Sequence, residues 1–69
     1  IRLAQKLIEL CGAEDTVLST HQKLAVELGT AREVVSRQLQ EFQRRGWIEQ
    51  TRGTIRLIDR DEIGKLAKS

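Results

Sequence analysis

The sequence has no proline, no methionine and no tyrosine, and only one residue each of cysteine, histidine, tryptophan and phenylalanine. Each shortage removes a class of protein. A lone cysteine cannot build the disulfide framework that holds many small secreted domains together. A reducing, cytoplasmic setting is therefore the natural reading, with Cys11 expected as a small buried apolar residue. A lone histidine, His21, has no second ligand near it in sequence, which argues for a surface position rather than a metal site. No apolar run approaches the roughly 20 residues of a membrane span, and no signal-peptide pattern is present. Nucleophile–base pairs, paired carboxylates and phosphate-cradling glycine loops are also missing, so enzyme chemistry is not expected. The lack of methionine, with a helical pattern already under way in "IRLAQKLIELCG", reads as a piece of a longer protein whose remainder lies N-terminal. Residues 1–69 are expected to form one small domain, whose core supplies on the order of 3–5 kcal/mol of net stability.

A strong charge of either sign is lacking as well: 12 Lys and Arg stand against 10 Asp and Glu, a net +2. The distribution says more than the total. Residues 1–29 hold three basic and four acidic side chains, residues 30–58 six and three, and residues 59–69 three and three. The surplus falls in the middle segment, where all six cations are arginine: Arg32, Arg37, Arg44, Arg45, Arg52 and Arg56. The planar guanidinium fork suits phosphate oxygens and the O6/N7 edge of guanine. A solvated charged face explains the same count, and composition alone does not choose between them.

Leu3, Leu7, Ile8 and Cys11 recur at helical spacing and predict a first helix over 2–11, stopped by Gly12. Val17 and Leu18 are candidates for a short strand. Thr20 is placed to cap a second helix, "HQKLAVELG", with Leu24, Ala25 and Leu28 as its apolar face and Gly29 as its end. Thr30 then caps a third helix over 31–45, and Glu33 three residues on completes a T-x-x-E capping box. Gly46 closes that helix. "WIEQTRGTIRLI" predicts two short strands around a turn at 51–54, where Gly53 supplies positive φ. Trp47 is expected to pack this hairpin against the third helix. "DRDEIGKLAKS" predicts a short last helix, weakened by Gly64. Two short helices joined by a tight glycine turn and followed by a hairpin give a mainly α fold with a small β-hairpin wing, a winged helix-turn-helix.

At 100° per residue, Val35, Leu39 and Phe42 share one side of the third helix, the core side. Glu33, Ser36, Arg37 and Gln40 share another, with Arg32 at its edge in the first turn. This polar face is compact and sits near the helix N-terminus, the end that a recognition helix puts into the major groove. The side-chain chemistry suits base edges: Arg donates twice to guanine, Glu accepts from cytosine N4, and Ser is short enough for close approach to a thymine. A plainer reading has Glu33 as the capping-box acid, paired with Arg37 on the surface. The pattern alone leaves the two open. Arg52, in the wing turn, either reaches a phosphate or is a solvated loop arginine.

These residues resemble the C-terminal DNA-binding domain of the Crp/Fnr transcription regulators. The resemblance covers about residues 16–60. It is most specific in R-E-x-x-S-R at Arg32–Arg37, followed by "GWI" at Gly46–Ile48 and a G-x-I-x-L wing at Gly53–Leu57. It implies that Glu33, Ser36 and Arg37 read bases, and that E-x-x-S-R selects Fnr-type half-sites containing TTGA. Arg32 matches a further base- or phosphate-contacting arginine of the Crp branch. Thr20 and Gln22 would hold the phosphate backbone, with His21, Thr30, Gln40 and Arg52 as further candidates there. The resemblance also implies an N-terminal β-barrel effector domain and a dimerisation helix, homodimeric binding to palindromes, and contact with RNA polymerase through the whole protein. No cofactor is expected in this chain; the effector, a cyclic nucleotide or another small-molecule or redox ligand, would bind in the missing domain. Two positions depart from the pattern. Ala31 replaces the usual Ser or Thr, leaving the cap to Thr30 and one phosphate contact in doubt. Gln38 replaces an apolar residue, leaving the core contact to Leu39 and Val35. The expected function is sequence-specific DNA binding by a bacterial regulator. The alternative is a winged helix used as a protein–protein interaction module, against which Glu33 argues because it would repel an acidic partner.

Overall fold

The computed structural model describes residues 2–12 and 14–68. Its elements run α1 (Leu3–Leu10), β1 (Thr16–Val17), α2 (His21–Leu28), α3 (Arg32–Arg44), β2 (Ile48–Thr51), β3 (Thr54–Leu57) and α4 (Arg60–Lys68). The strands form one antiparallel sheet in the order β1-β3-β2. β2 and β3 are the wing, in register from Ile48↔Leu57 to Thr51↔Thr54. Arg52 and Gly53 make its turn, and Gly53 sits at φ 70°, a conformation that a Cβ would strain. α1 packs against α4, α2 against α3, and α3 against β2.

One apolar core joins all of these. Leu7, Leu24, Val35, Leu39 and Ile63 are completely enclosed, with Leu3, Val17 and Ile55 nearly so. The stripe predicted for α3 is the buried one: Val35, Leu39 and Phe42 face inward. Gln38 is half-buried beside them, and the core contact falls to its neighbours as expected. Ile63 anchors α4 through Gly64 without a break. The Trp47 ring lies 5.7 Å from that of Phe42, tilted by 43°, and so joins the hairpin to α3. The Trp47 carbonyl accepts from the N–H groups of Ile58 and Asp59 at 2.8 and 3.0 Å, which fastens the far end of the wing to the same point.

Four expectations need correction. Leu18 is outside the sheet and 78% exposed; Val17 takes the inward position, and alternation along a strand sends its neighbour outward. α1 ends at Leu10 because Cys11 turns to extended geometry (ψ 137°), one residue before Gly12. Cys11 itself is half-buried against the core rather than enclosed. The largest correction concerns Thr30. α2 does carry the expected Thr20 cap, whose Oγ1 accepts from the Lys23 N–H at 3.1 Å. It ends in left-handed Gly29 at φ 67°. That turn bonds the Thr30 N–H back to the Ala25 carbonyl at 3.0 Å, so Thr30 completes α2. α3 then starts one residue later, with Ala31 at its N-cap and no side-chain cap. The Thr30–Glu33 capping box does not form.

Candidate nucleic-acid interface

Only Gly29, Thr30 and Ala31 separate α2 from α3. This tight connection, allowed by the αL glycine, fixes the two helices at a set angle and places their N-termini near the wing. The start of α2 supplies Thr20, His21 and Gln22 to a cleft that Arg32 enters from α3 and that Gln50, Thr51 and Thr54 close from the wing. Three of the expected backbone-contacting residues and one expected base reader therefore line one concavity. Arg52 stands exposed at the wing tip beside it.

Along α3, Arg32, Glu33, Arg37 and Gln40 are exposed and Ser36 is half-buried. The Arg37 Nη2 donates to Glu33 Oε1 at 2.8 Å, with both side chains more than 70% exposed. Of the plainer reading, the surface pairing of Glu33 with Arg37 is present, while the capping-box role is not. The pair uses one of the five guanidinium donors and one carboxylate oxygen, so both groups keep hydrogen-bonding capacity toward solvent. Glu33 also sits in the first turn, where the helix dipole favours an anion. Among the described residues no ion pair engages Arg32 or Arg52, which leaves both cations available.

The other end of α3 is electrostatically closed. Glu41 accepts from Arg44 and from Arg45, the latter at 2.8 Å. The hydrogen bonds from Arg44 and then Arg45 hold the Glu41 carboxyl below its ordinary range. The same contact raises Arg44. Two of the six middle-segment arginines are therefore committed to an internal carboxylate, and the free positive charge lies at the N-terminal end of the helix and at the wing.

Side-chain contacts across α2, α3 and the wing supply a feature that sequence reasoning missed. His21 Nδ1 lies 2.7 Å from Ser36 Oγ, and His21 Nε2 lies 2.7 Å from Gln50 Oε1. The Gln50 amide nitrogen donates to Gln43 Oε1 at 2.9 Å. His21, expected on the phosphate side, thus has both ring nitrogens engaged within the protein. Gln50 and Gln43 were not among the candidates. One local signal pointed to Gln50: it shares a strand face with buried Ile48, and a glutamine on an inward face needs a partner. Among the described residues no group of His, Cys, Asp and Glu is arranged to hold a metal, and no helix is long and apolar enough to cross a membrane.

Comparison with known proteins agrees with this geometry. Residues 1–66 match the family described as the Crp-like helix-turn-helix domain. No curated protein sequence matches. Among solved structures, a Crp/Fnr-family protein from Eubacterium rectale superposes with a TM-score of 0.92 at 33% identity, over 99% of this chain and 32% of that one. A Crp/Fnr-family transcriptional regulator from Thermus thermophilus gives 0.90 at 32% identity, over 99% and 39%. The catabolite activator protein of the same organism gives 0.87 at 29% identity, over 97% and 32%. The chain spans about a third of the length of these proteins. The helix pair joined at Gly29, the exposed arginines at the start of α3 and the β2–β3 wing lie within the matched residues, and the chain belongs to the Crp-like helix-turn-helix domains, a non-enzymatic DNA-binding family of Crp/Fnr-type transcription regulators.

Proposed function

We propose that this domain binds DNA sequence-specifically, with α3 in the major groove and a palindrome of TTGA and TCAA half-sites as its target. The observation that carries this reading is the exposed Glu33–Arg37 pair on the N-terminal half of α3, flanked by Arg32 and Ser36. Arg37 reads guanine through O6 and N7, Glu33 accepts from cytosine N4 in a neighbouring pair, and Ser36 leaves room for a thymine methyl. Arg32 joins them at the edge of the groove, where it is the residue able to draw the preference toward a TGTGA half-site. Thr20, Gln22, Thr30, Gln40 and Arg52 serve the phosphate backbone, Thr20 and Gln22 from the start of α2 and Arg52 from the wing, whereas His21, with both ring nitrogens engaged within the protein, has none free for a phosphate. Their role is to set register, with little information about sequence. Two copies bind as a cytoplasmic homodimer, because a twofold dimer presents both recognition helices to one side of the duplex, about 34 Å apart. Contact with RNA polymerase belongs to the full-length regulator.

Selection from a random duplex library with the full-length protein tests the site, and a salt titration of the selected and scrambled duplexes tests the mode of binding. The expected product is an inverted repeat with a TGA core in each half-site. A non-palindromic motif, or half-sites without TGA, would refute the assignment. Equal binding to selected and scrambled duplexes would point to a protein-binding winged helix.

A further inference from the structure

His21 is the hub of a hydrogen-bonded chain that no base-reading scheme requires. It joins three elements: its ring touches Ser36 on α3 at 2.7 Å and Gln50 on β2 at 2.7 Å. The direction of each hydrogen bond follows from what the partners can do. The atom of Gln50 facing the ring is a carbonyl oxygen, which only accepts, so His21 Nε2 carries the proton. The Gln50 amide nitrogen is turned away and donates to Gln43 at 2.9 Å, which is consistent with that amide orientation. A neutral imidazole has one N–H; with the proton on Nε2, Nδ1 is an acceptor. The Ser36 hydroxyl must therefore donate its hydrogen to Nδ1. A serine hydroxyl has one hydrogen and two lone pairs, and only the lone pairs remain for anything approaching the outer face of α3.

We propose that His21 is a specificity-determining residue acting through Ser36. By fixing the direction of the Ser36 hydroxyl, it makes Ser36 an acceptor toward DNA, selecting at the contacted position a base that carries an amino group, adenine through N6 or cytosine through N4, over guanine or thymine. The inference rests on the reading that Ser36 faces bases. It narrows that reading. Thymine O4 and guanine O6 and N7 are acceptors and meet the Ser36 lone pairs unfavourably. A T·A pair satisfies both demands, with the methyl against the short side chain and the adenine amino group donating to Oγ. An unconstrained serine would rotate to suit donor or acceptor and discriminate little.

The test combines a spectrum and a binding panel, both on the full-length protein. Two-bond nitrogen–proton correlations of the His21 ring, recorded without DNA in mildly alkaline buffer, should place the proton on Nε2. Duplexes carrying each base pair in turn along one half-site should show a preference of roughly two- to tenfold for an amino-bearing base at one position, the range of a single hydrogen bond. His21→Ala and Ser36→Ala should flatten that position and leave discrimination at the others. His21→Asn, whose carbonyl oxygen stands near the place of Nδ1 and also accepts from the hydroxyl, should restore it. A proton on Nδ1, or full discrimination retained in His21→Ala, overturns the proposal. A wild-type protein that binds every duplex alike overturns it together with the base-reading assignment, and the tautomer seen in the DNA-free spectrum separates that failure from one in the hydrogen-bond argument.

Discussion

Replacing Ala31 by serine should stabilise the fold, although alanine is the better helix former. Ala31 occupies the N-cap of α3 with φ −77° and ψ 146°. In this extended geometry a side-chain oxygen can turn back onto the N–H of the second or third helical residue. Those donors belong to Glu33 and Val34. The Val34 N–H closes a tight bond of 3.0 Å onto the Ala31 carbonyl, and no side chain caps the turn. A serine hydroxyl fills that role and contributes about 1 kcal/mol. With 69 residues at about 2.1 cal/mol/K each, the unfolding entropy at Tm is roughly 145 cal/mol/K, so the substitution raises Tm by about 7 °C. Thr30→Ala is the paired control. Its side chain caps nothing in α3, so its cost should stay within about 0.5 kcal/mol. Thermal unfolding followed by circular dichroism reads both variants. A rise of less than about 2 °C in Ala31→Ser, together with a fall of several degrees in Thr30→Ala, would show that Thr30 is the cap and that the helix begins one residue earlier.

Three further outcomes are expected. Arg37→Ala should lose about 1–3 kcal/mol on the selected duplex and little on random DNA; equal losses in a fluorescence-anisotropy titration would make Arg37 a phosphate clamp. Gln22→Ala and Arg52→Ala should weaken binding alike on all sequences, and Arg52→Ala should reduce the slope of log affinity against log salt by about 0.9; a changed base preference in that variant would make the wing a reader of sequence. The Glu41 carboxyl, lowered by hydrogen bonds from Arg44 and Arg45, lends support to the end of α3 that is present above its unfolded-state pKa and is lost as pH falls through its folded value. Carbon-detected NMR titration should place it below the ordinary glutamate range and show an upward shift in Arg44→Ala, and an unchanged Glu41 in that variant would exclude Arg44 as the main cause.

Periodicity carried the parts of the molecule in which local spacing decides the outcome. Val35, Leu39 and Phe42 repeat at a helical interval, and the structure buries all three. Gly53 between two β-rich runs marked the wing turn, and it adopts the positive φ that the turn needs. The start of α3 was less legible, because "GTARE" satisfies two registers. Thr30 with Glu33 has the spacing of a capping box, yet the αL turn at Gly29 takes the Thr30 N–H for α2. Which bond forms depends on how one helix hands over to the next, and that is set by packing between them. The polar face of α3 could be drawn on a helical wheel, but its ties to the rest of the molecule could not. His21 meets partners 15 and 29 residues away, and contacts at that separation exist only once the helices and wing have docked. A wheel shows Ser36 as exposed and free, whereas the folded chain leaves it half-buried and tethered.

The placement of Trp47 has an optical consequence. It is the sole tryptophan in a chain without tyrosine, so excitation in the near ultraviolet addresses one indole without energy transfer from phenolic side chains. That indole lies at the junction of α3 and the wing, 5.7 Å from Phe42 in ring centroids, with the Arg45 guanidinium 5.1 Å over its own ring. It is half-buried, poised between a hydrocarbon and an aqueous environment, where emission wavelength is sensitive to small changes in exposure. A shift of the wing relative to α3 changes the solvent around the ring and its distance from the arginine cation together. This domain therefore carries a native fluorophore at the joint between α3 and the wing, and stopped-flow emission can time a shift of one against the other without any attached label.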